Sequence, residues 1–307
     1  MSDPVLSVVI LSWNTKALTL ACLAALFAEK PKHAREVIVV DNGSHDGSAD
    51  AIAAAYPHVL LIRNAENRLY SAGNNQGAFA AKGEFVCTLN SDTEARPGAL
   101  DALVDFLRAN PDYGAVAPKL VDPDGSVQRA CQRFPTLLSA LCFDSWWGKW
   151  WPGSWIQRRY LMEDFDHLSS RDVPQPPGAV FCMRRDEYVR MGGLDEQLSL
   201  YYNDVDLSKR LWKAGRKVRY FVDAVVMHHR GASTKSFAKM LVVWHKNRLA
   251  YYQKHYGVLG EKWVRFVIRL RIAEERIAIQ KRCKGDPQRM AAENAFLEQA
   301  QKELWAR

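Results

Sequence analysis

Between residues 6 and 92 the chain alternates an apolar run with a helix-like segment four times, and this alternation restricts the fold more than any other feature. Leu6 to Leu11 reads as a buried strand and Lys16 to Phe27 as a helix. Glu36 to Val40 is a second strand that runs into Asp41-Asn42-Gly43-Ser44, and Ser48 to Tyr56 is helical. Val59 to Ile62, the helix Ser71 to Ala81 and the strand Phe85 to Leu89 follow, the last stopping at Asn90-Ser91-Asp92. Strands that are apolar throughout, joined by helices, imply an α/β fold: a mostly parallel, Rossmann-like sheet with helices on both faces. Ligands of such sheets sit beyond the carboxyl ends of the strands. Asp41, the run from Asn64 to Asn67, and Asp92 all fall on that rim.

Beyond residue 92 the pattern continues with a helix from Pro97 to Ala109 and a strand from Val116 to Val121, closed by a Pro123-Asp124-Gly125 turn. It breaks down from Arg129 to Pro177, where Trp146, Trp147, Trp150, Trp151 and Trp155 cluster with Lys149, Arg158 and Arg159. Gly178 to Met183 restores a strand and Arg185 to Met191 a short helix. Asn203-Asp204-Val205-Asp206 heads a helix from Leu207 to Ala214, and the strands Lys217 to Phe221 and Ala224 to Met227 deliver His228-His229-Arg230. The tail from Phe237 is mostly long helix. The expected organisation is a catalytic domain over residues 1–234, carrying a Trp-rich acceptor-side insertion at 130–177, and a basic helical C-terminal extension over 235–307.

No apolar stretch reaches the roughly 18 to 20 residues that cross a bilayer, and the Met1-Ser2-Asp3-Pro4 start has no leader character, so a cytoplasmic protein is expected. The six cysteines are scattered without a C-x-x-C pair, which argues against a zinc site or a disulfide framework. The net charge of +8 is concentrated in the C-terminal third among Trp, Tyr and Leu. Composition alone leaves nucleic acid, an anionic membrane face and an anionic substrate open as partners.

Two acidic clusters carry the chemistry. Asp92 at a strand end suits a divalent cation, Mg²⁺ or Mn²⁺, that neutralises a departing diphosphate, and Asn90 can reach a ribose or the shell of the metal. A hydroxyl acceptor is a poor nucleophile at neutral pH, so a carboxylate must take its proton, and Asp204 is the candidate base. Asp206 lies two residues on, placed to orient the loop or to meet Arg210. His228 or His229 can complete the metal site, and Arg230 or Ser233 can grip the pyrophosphate. The alternative for each is structural: helix-terminal acids and turn residues are common without any ligand.

Taken together, several segments resemble glycosyltransferase family 2, whose members share the GT-A fold, and in particular its rhamnosyltransferase-like branch. They are Ser7 to Asn14, Val39 to Ser48, Asn67 to Gly77, Leu89 to Thr93, Pro177-Gly178-Ala179, Gly192 to Glu196, Asp204 to Leu207 with Arg210 and Gly215, and His228 with Gly231 and Ser233. The resemblance spans residues 5–234. It implies an inverting, metal-dependent sugar transfer in cell-surface polysaccharide synthesis, from a UDP- or dTDP-type donor to a glycan or lipid-linked acceptor, with rhamnose or another hexose as the sugar.

By the same resemblance, Asp41 reads the base or ribose, Ser12, Asn14, Gly73 and Asn75 line the nucleotide pocket with Asn90 and Ser91, Asp92 and His228 hold the metal, and Asp204 is the base, with Gly178, Asn203 and Asp206 in its loop. Two departures stand out: Leu69 occupies a position usually held by glycine, and Asn203 replaces a residue that is commonly acidic. Members of this kind often work at the cytoplasmic membrane face, which gives the tryptophans and the basic tail a peripheral role there; the other reading makes the tail a dimer helix. A catalytically inactive nucleotide- or RNA-binding module is the rival function. A nucleotidyltransferase fits less well, because Ser12-Trp13-Asn14-Thr15 is not a glycine-rich phosphate loop.

Overall fold

The computed structural model describes residues 3–144, 148, 150–230 and 237–306, and these fall into two compact units. The first takes in the described residues of 1–132, 165–199 and 203–235; the second takes in those of 133–164, 200–202 and 236–307.

The first unit is built on one sheet. Strands β1 (Leu6–Ser12), β2 (Arg35–Asp41), β3 (Leu60–Arg63) and β4 (Phe85–Asn90) run parallel in the spatial order β3-β2-β1-β4. Val8, Val9, Ile10, Val39, Val40 and Leu89 are all sealed from solvent because both faces are covered, which is why these strands read as unbroken apolar runs. Successive residues serve opposite faces. Ile10 and Leu89 pack with Leu23, Ile52 and Leu103 on one side, while Val9 and Ile38 pack with Ala78, Tyr188, Leu207 and Leu211 on the other.

The remaining strands make the sheet mixed. β8 (Val180–Arg184) lies antiparallel between β4 and β6 (Tyr113–Val121), and β9 (Lys217–His228) runs parallel to β6. β5 (Thr93–Ala95) and β7 (Arg171–Asp172) pair antiparallel with β9. Among the described residues, β1, β2, β3, β4, β6 and β9 share one direction and β5, β7 and β8 oppose it. The reversal at β8 matters for the site: Gly178, just before β8, emerges on the same rim as the carboxyl ends of β1, β2 and β4.

Two local expectations change. The last two expected strands form one, β9, with a jump in register between Pro118 paired to Phe221 and Lys119 paired to Val225. The helix expected from Leu207 begins at Asn203, whose side-chain oxygen accepts the Asp204 backbone N–H at 2.7 Å. Both acids therefore lie in the first helical turn.

The second unit is helical. Residues 133–164, expected as an insertion within the first domain, group instead with the C-terminal helices. Helix Leu137–Asp144 is held to the long helix Phe237–Arg282 by side chains that donate to its backbone carbonyls: Trp263 Nε1 to Leu137 C=O at 2.8 Å, and Arg248 to Ala140 C=O at 2.7 Å. The long helix is interrupted at Gly257, where φ is +67°, and a further helix, Pro287–Trp305, follows. Trp146, Trp147, Lys149 and Lys235 lie outside the described residues, as do Gly231 to Thr234. No described helix is long and apolar enough to cross a membrane.

Candidate active site

The site is assembled where β4 ends. Asn90 closes the strand, Ser91 and Asp92 turn, and Thr93 opens β5, which pairs with the end of β9 so that Thr93 faces His228. The His229 backbone N–H donates to the Asp92 carbonyl at 2.9 Å and fixes that register. As a result His228 Nε2 stands 3.5 Å from Asp92 Oδ1, with Asp92 buried. His229 turns the other way, its Nε2 2.7 Å from Glu94 Oε1. Of the tandem histidines, His228 is the one that faces Asp92.

A carboxylate oxygen and an imidazole nitrogen at this separation could together hold one divalent cation. No cluster of three or more His, Cys, Asp or Glu side chains is present among the described residues. A cation held here would thus take its remaining ligands from phosphate oxygens and water, as Mg²⁺-type ions commonly do.

Asp204 lies in the first turn of helix Asn203–Lys213, half-buried, with Oδ1 accepting the Val205 N–H at 2.8 Å. Burial raises its carboxyl above the ordinary range, opposed by the backbone N–H groups of Val205 and Gly178 that favour the ionised form. Gly178 is required by space. A Cβ there would sit 2.6 Å from Asp204 Oδ2.

Tyr70 links the end of β4 to the segment that leads into β8. Its hydroxyl donates to Asn90 Oδ1 at 2.9 Å and lies 3.2 Å from the Gly178 carbonyl. Burial first, then the negative charge of Asp204, pushes this phenol well above its usual range. The sequence reading missed Tyr70. Its only signal was a hydroxyl placed at the start of the helix that follows the polar rim loop.

The remaining acids and amides of the base loop are scaffold. Asp206 is fully buried and binds Arg210 at 2.8 Å, the pairing expected from their spacing, and Arg210 in turn donates to the carbonyls of Met191 and Gly193. Asn203 also donates to Leu198 C=O, at 3.3 Å, which helps set the helix start.

On the nucleotide side the outcome is divided. Asp41 is buried, with Oδ1 accepting the Ser44 N–H at 3.0 Å, while Oδ2 is sealed from water without a partner. A buried acceptor left open is costly, and it is the pattern expected where a ligand donor completes the set. Asn14 is partly exposed, in a left-handed conformation (φ 53°), and accepts the His45 N–H at 2.8 Å, which joins the first two rim loops. Ser91 is turned inward, its hydroxyl 3.0 Å from Thr15 Oγ1.

Three expected pocket residues stand behind the rim instead. Ser12 is completely buried with its hydroxyl 2.9 Å from Thr19 Oγ1, because it must close the end of β1 over the following helix. A Cβ at Gly73 would meet Leu11 Cδ1 at 2.4 Å, so this glycine serves helix-to-sheet packing. Asn75 spends its amide on the Leu194 N–H and C=O, Tyr188 and Glu196. Arg230 is exposed and paired with Asp122 at 3.1 Å; its expected neighbours Gly231 and Ser233 lie outside the described residues.

Leu69 resolves one departure. Its φ is +64°, the left-handed backbone that glycine would take without strain, so the leucine keeps the turn and bears its steric cost. The loop is held by Asn42, which donates to Asn67 Oδ1 and accepts from Asn64 and the Arg68 N–H.

Comparison with known proteins agrees with this geometry. Residues 7–166 match the family model described as glycosyl transferase family 2. The chain is 33% identical over 236 residues, 73% of its length and 75% of the relative's, to an N-acetylglucosaminyl-diphospho-decaprenol L-rhamnosyltransferase of Mycobacterium tuberculosis. It is 28% identical to an O-antigen biosynthesis protein of Myxococcus xanthus, over 66% of this chain and 16% of that one. Among solved structures, a mannosyltransferase from Pyrobaculum calidifontis in complex with GDP-Man and Mn²⁺ superposes with a TM-score of 0.57 at 17% identity, over 99% of this chain and 88% of that one. GalNAc-T7 with UDP, GalNAc and Mn²⁺ superposes with a TM-score of 0.56 at 15% identity, covering 86% and 55%. These two likenesses concern the fold. With the rim, the mixed sheet and the family match in agreement, the chain belongs to glycosyltransferase family 2 and has the GT-A fold.

Proposed function

We propose that the protein is an inverting, divalent-metal-dependent rhamnosyl- or hexosyltransferase of cell-surface polysaccharide synthesis, acting on a nucleoside-diphosphate sugar of UDP or dTDP type and a lipid-linked glycan acceptor. The observation that supports this reading is the Tyr70 hydroxyl, which bridges Asn90, two residues before Asp92, and Gly178, which abuts Asp204, while His228 stands 3.5 Å from Asp92. The kinship with a rhamnosyltransferase that acts on an N-acetylglucosaminyl-diphospho-lipid supports the sugar and the acceptor class.

In this reading Asp41 takes a donor N–H or O–H of the nucleoside on its open Oδ2. Asp92 Oδ1 and His228 Nε2 hold Mg²⁺ or Mn²⁺, which when bound supplies positive charge against the leaving diphosphate. Asp204 accepts the proton of the acceptor hydroxyl as its oxygen bonds to C1; the bond from C1 to the diphosphate oxygen breaks, and that electron pair leaves with the nucleoside diphosphate. Attack from the face opposite the leaving group inverts the anomeric centre. The raised carboxyl of Asp204 suits this work, since a base is most effective when its pKa approaches the working pH.

Purified protein assayed with dTDP-rhamnose and with UDP-hexoses, with and without EDTA, on an N-acetylglucosaminyl-diphospho-lipid tests this directly. The expected result is metal-dependent transfer with a product anomer opposite to the donor's. Nucleotide binding with no transfer to any acceptor would instead favour a non-catalytic binding module.

Peripheral contact with an anionic membrane belongs to the same reading. The second unit exposes Trp150, Trp151 and Trp155 by 68% or more, close in sequence to the exposed cations Arg158 and Arg159, a composition suited to a headgroup boundary. Flotation with phosphatidylglycerol vesicles should carry the protein upward and fail with all-phosphatidylcholine vesicles. Dimerisation without flotation would assign those side chains to a second copy.

A further inference from the structure

Gln128 lies outside every motif used so far, yet it is 1% exposed and touches His228 twice. It is delivered by a small hairpin. β6 ends at Val121, the Asp122-Pro123-Asp124-Gly125 turn closes with Gly125 N–H on Asp122 C=O at 2.8 Å, and the returning chain bridges Val127 to Val121. The Gln128 N–H then donates to Leu120 C=O at 2.9 Å, and because β6 is the parallel neighbour of β9, the side chain lies against the end of β9.

The network leaves the amide one orientation. Gln128 Nε2 donates at 2.8 Å to Asp122 Oδ1 and at 2.8 Å to the His228 carbonyl, and both of these groups only accept. Flipping the amide would set its oxygen against a carboxylate and a carbonyl together, while Asp122 is held in place by Arg230 at 3.1 Å. Gln128 Oε1 therefore faces His228 Nδ1, at 3.0 Å, and an oxygen there requires a proton on Nδ1. In the singly protonated ring Nε2 then carries the lone pair, and Nε2 is the atom 3.5 Å from Asp92 Oδ1. That contact is long for a hydrogen bond, and two electron-rich atoms facing each other call for a cation between them.

We infer that Gln128 is a positioning residue that fixes the Nδ1–H tautomer and the ring angle of His228, so that Nε2 and Asp92 present a ready-made pair of ligands to a divalent cation. The inference rests on the reading of Asp92 and His228 as metal ligands. Partners that orient a ligating imidazole through its other nitrogen typically affect metal affinity by about 10- to 100-fold.

The test uses the full-length protein labelled with ¹⁵N-histidine, metal-free, with the His228 ring signals assigned by their loss in His228→Ala. Wild type should show the proton on Nδ1. Gln128→Leu should lose that preference and bind Mn²⁺, read from the free-ion EPR signal, about 10- to 100-fold more weakly. Gln128→Glu keeps an acceptor toward Nδ1 and should retain the tautomer, which a purely packing role does not give, although its second oxygen then opposes Asp122 Oδ1 and the His228 carbonyl and lowers stability. A wild-type ring protonated at Nε2 overturns the inference. So does a Gln128→Leu protein with unchanged tautomer and Mn²⁺ affinity; should that variant not fold, the wild-type spectrum and Gln128→Glu decide. Wild type that takes up no Mn²⁺ overturns the metal reading itself, a failure distinct from Mn²⁺ binding that ignores Gln128.

Discussion

Behind the rim, Asn75 has its hydrogen-bonding capacity filled by the protein; on the rim, Asp41 does not. Asn75 is of the first kind, with its carbonyl and amide both committed to the Gly192 to Glu196 turn and to Tyr188. Asp41 is of the second kind, with Oδ2 sealed from water and unpartnered. Both lie in polar, motif-rich stretches of sequence. Satisfaction separates a clamp from a working group, because a buried polar atom without a partner is unfavourable unless a ligand completes it.

The sharpest way to break this contrast is Asp204→Asn. It should lower kcat by about 10²- to 10⁴-fold with nucleotide affinity unchanged, measured by steady-state turnover beside calorimetric titration with the nucleotide. Burial raises this carboxyl, so whatever stability the group adds is present in acid, where it is protonated in the folded and unfolded chain alike, and is lost as pH rises through the raised value. At neutral pH Asp204→Asn should therefore melt higher than wild type while losing activity. The same shift places the acid limb of the wild-type kcat/KM profile above the ordinary carboxylate range, with the rate rising as the proton leaves. A limb at or below that range would contradict the role of base.

Gly178→Ala is next, since the added methyl would meet the Asp204 carboxylate and displace it; a loss of roughly 10² in kcat is expected without loss of Mn²⁺ binding. From the filled set, Asn75→Ala should cost about 2 kcal/mol of stability by leaving buried partners unpaired, read from denaturant midpoints, with KM for the donor unchanged. Asp41→Asn should weaken nucleotide binding about tenfold, consistent with one hydrogen bond to a charged acceptor. The smallest effect belongs to Leu69→Gly. It relieves a left-handed leucine but adds chain entropy when unfolded, so stability should move by less than about 1 kcal/mol and turnover should stay put.

Much of the framework was legible beforehand because each element is coded locally. The four parallel strands and their helices follow from apolar runs and 3.6-residue periodicity, and their observed bounds differ from the expected ones by a residue or two. Asp92 and Asp204 were also legible, as acids at a strand end and a helix start. Ser12, Gly73 and Asn75 misled because a motif identifies a position, not the direction its side chain takes. A serine at the end of β1 can face a ligand or the Thr19 hydroxyl, and the crossing angle of a neighbouring helix decides which. Tyr70 and Gln128 were invisible for a related reason: each acts through residues far along the chain, Tyr70 on Gly178 and Gln128 on His228.

The grouping of residues 133–164 with the C-terminal helices was hidden in the same way. Its bonds run from side chains such as Trp263 and Arg248 to backbone carbonyls more than a hundred positions earlier.

Periodicity and strand-end composition are local properties, and they were enough to give the α/β framework, its carboxyl-end rim and the positions of the two acids proposed to act there. Long-range packing set the rest: His228 and not His229 meets Asp92, Tyr70 links Gly178 to the end of β4, and Leu69 stands in for a glycine. Those outcomes depend on strand register and loop conformation, where a shift of one residue reverses the face on which a side chain lies.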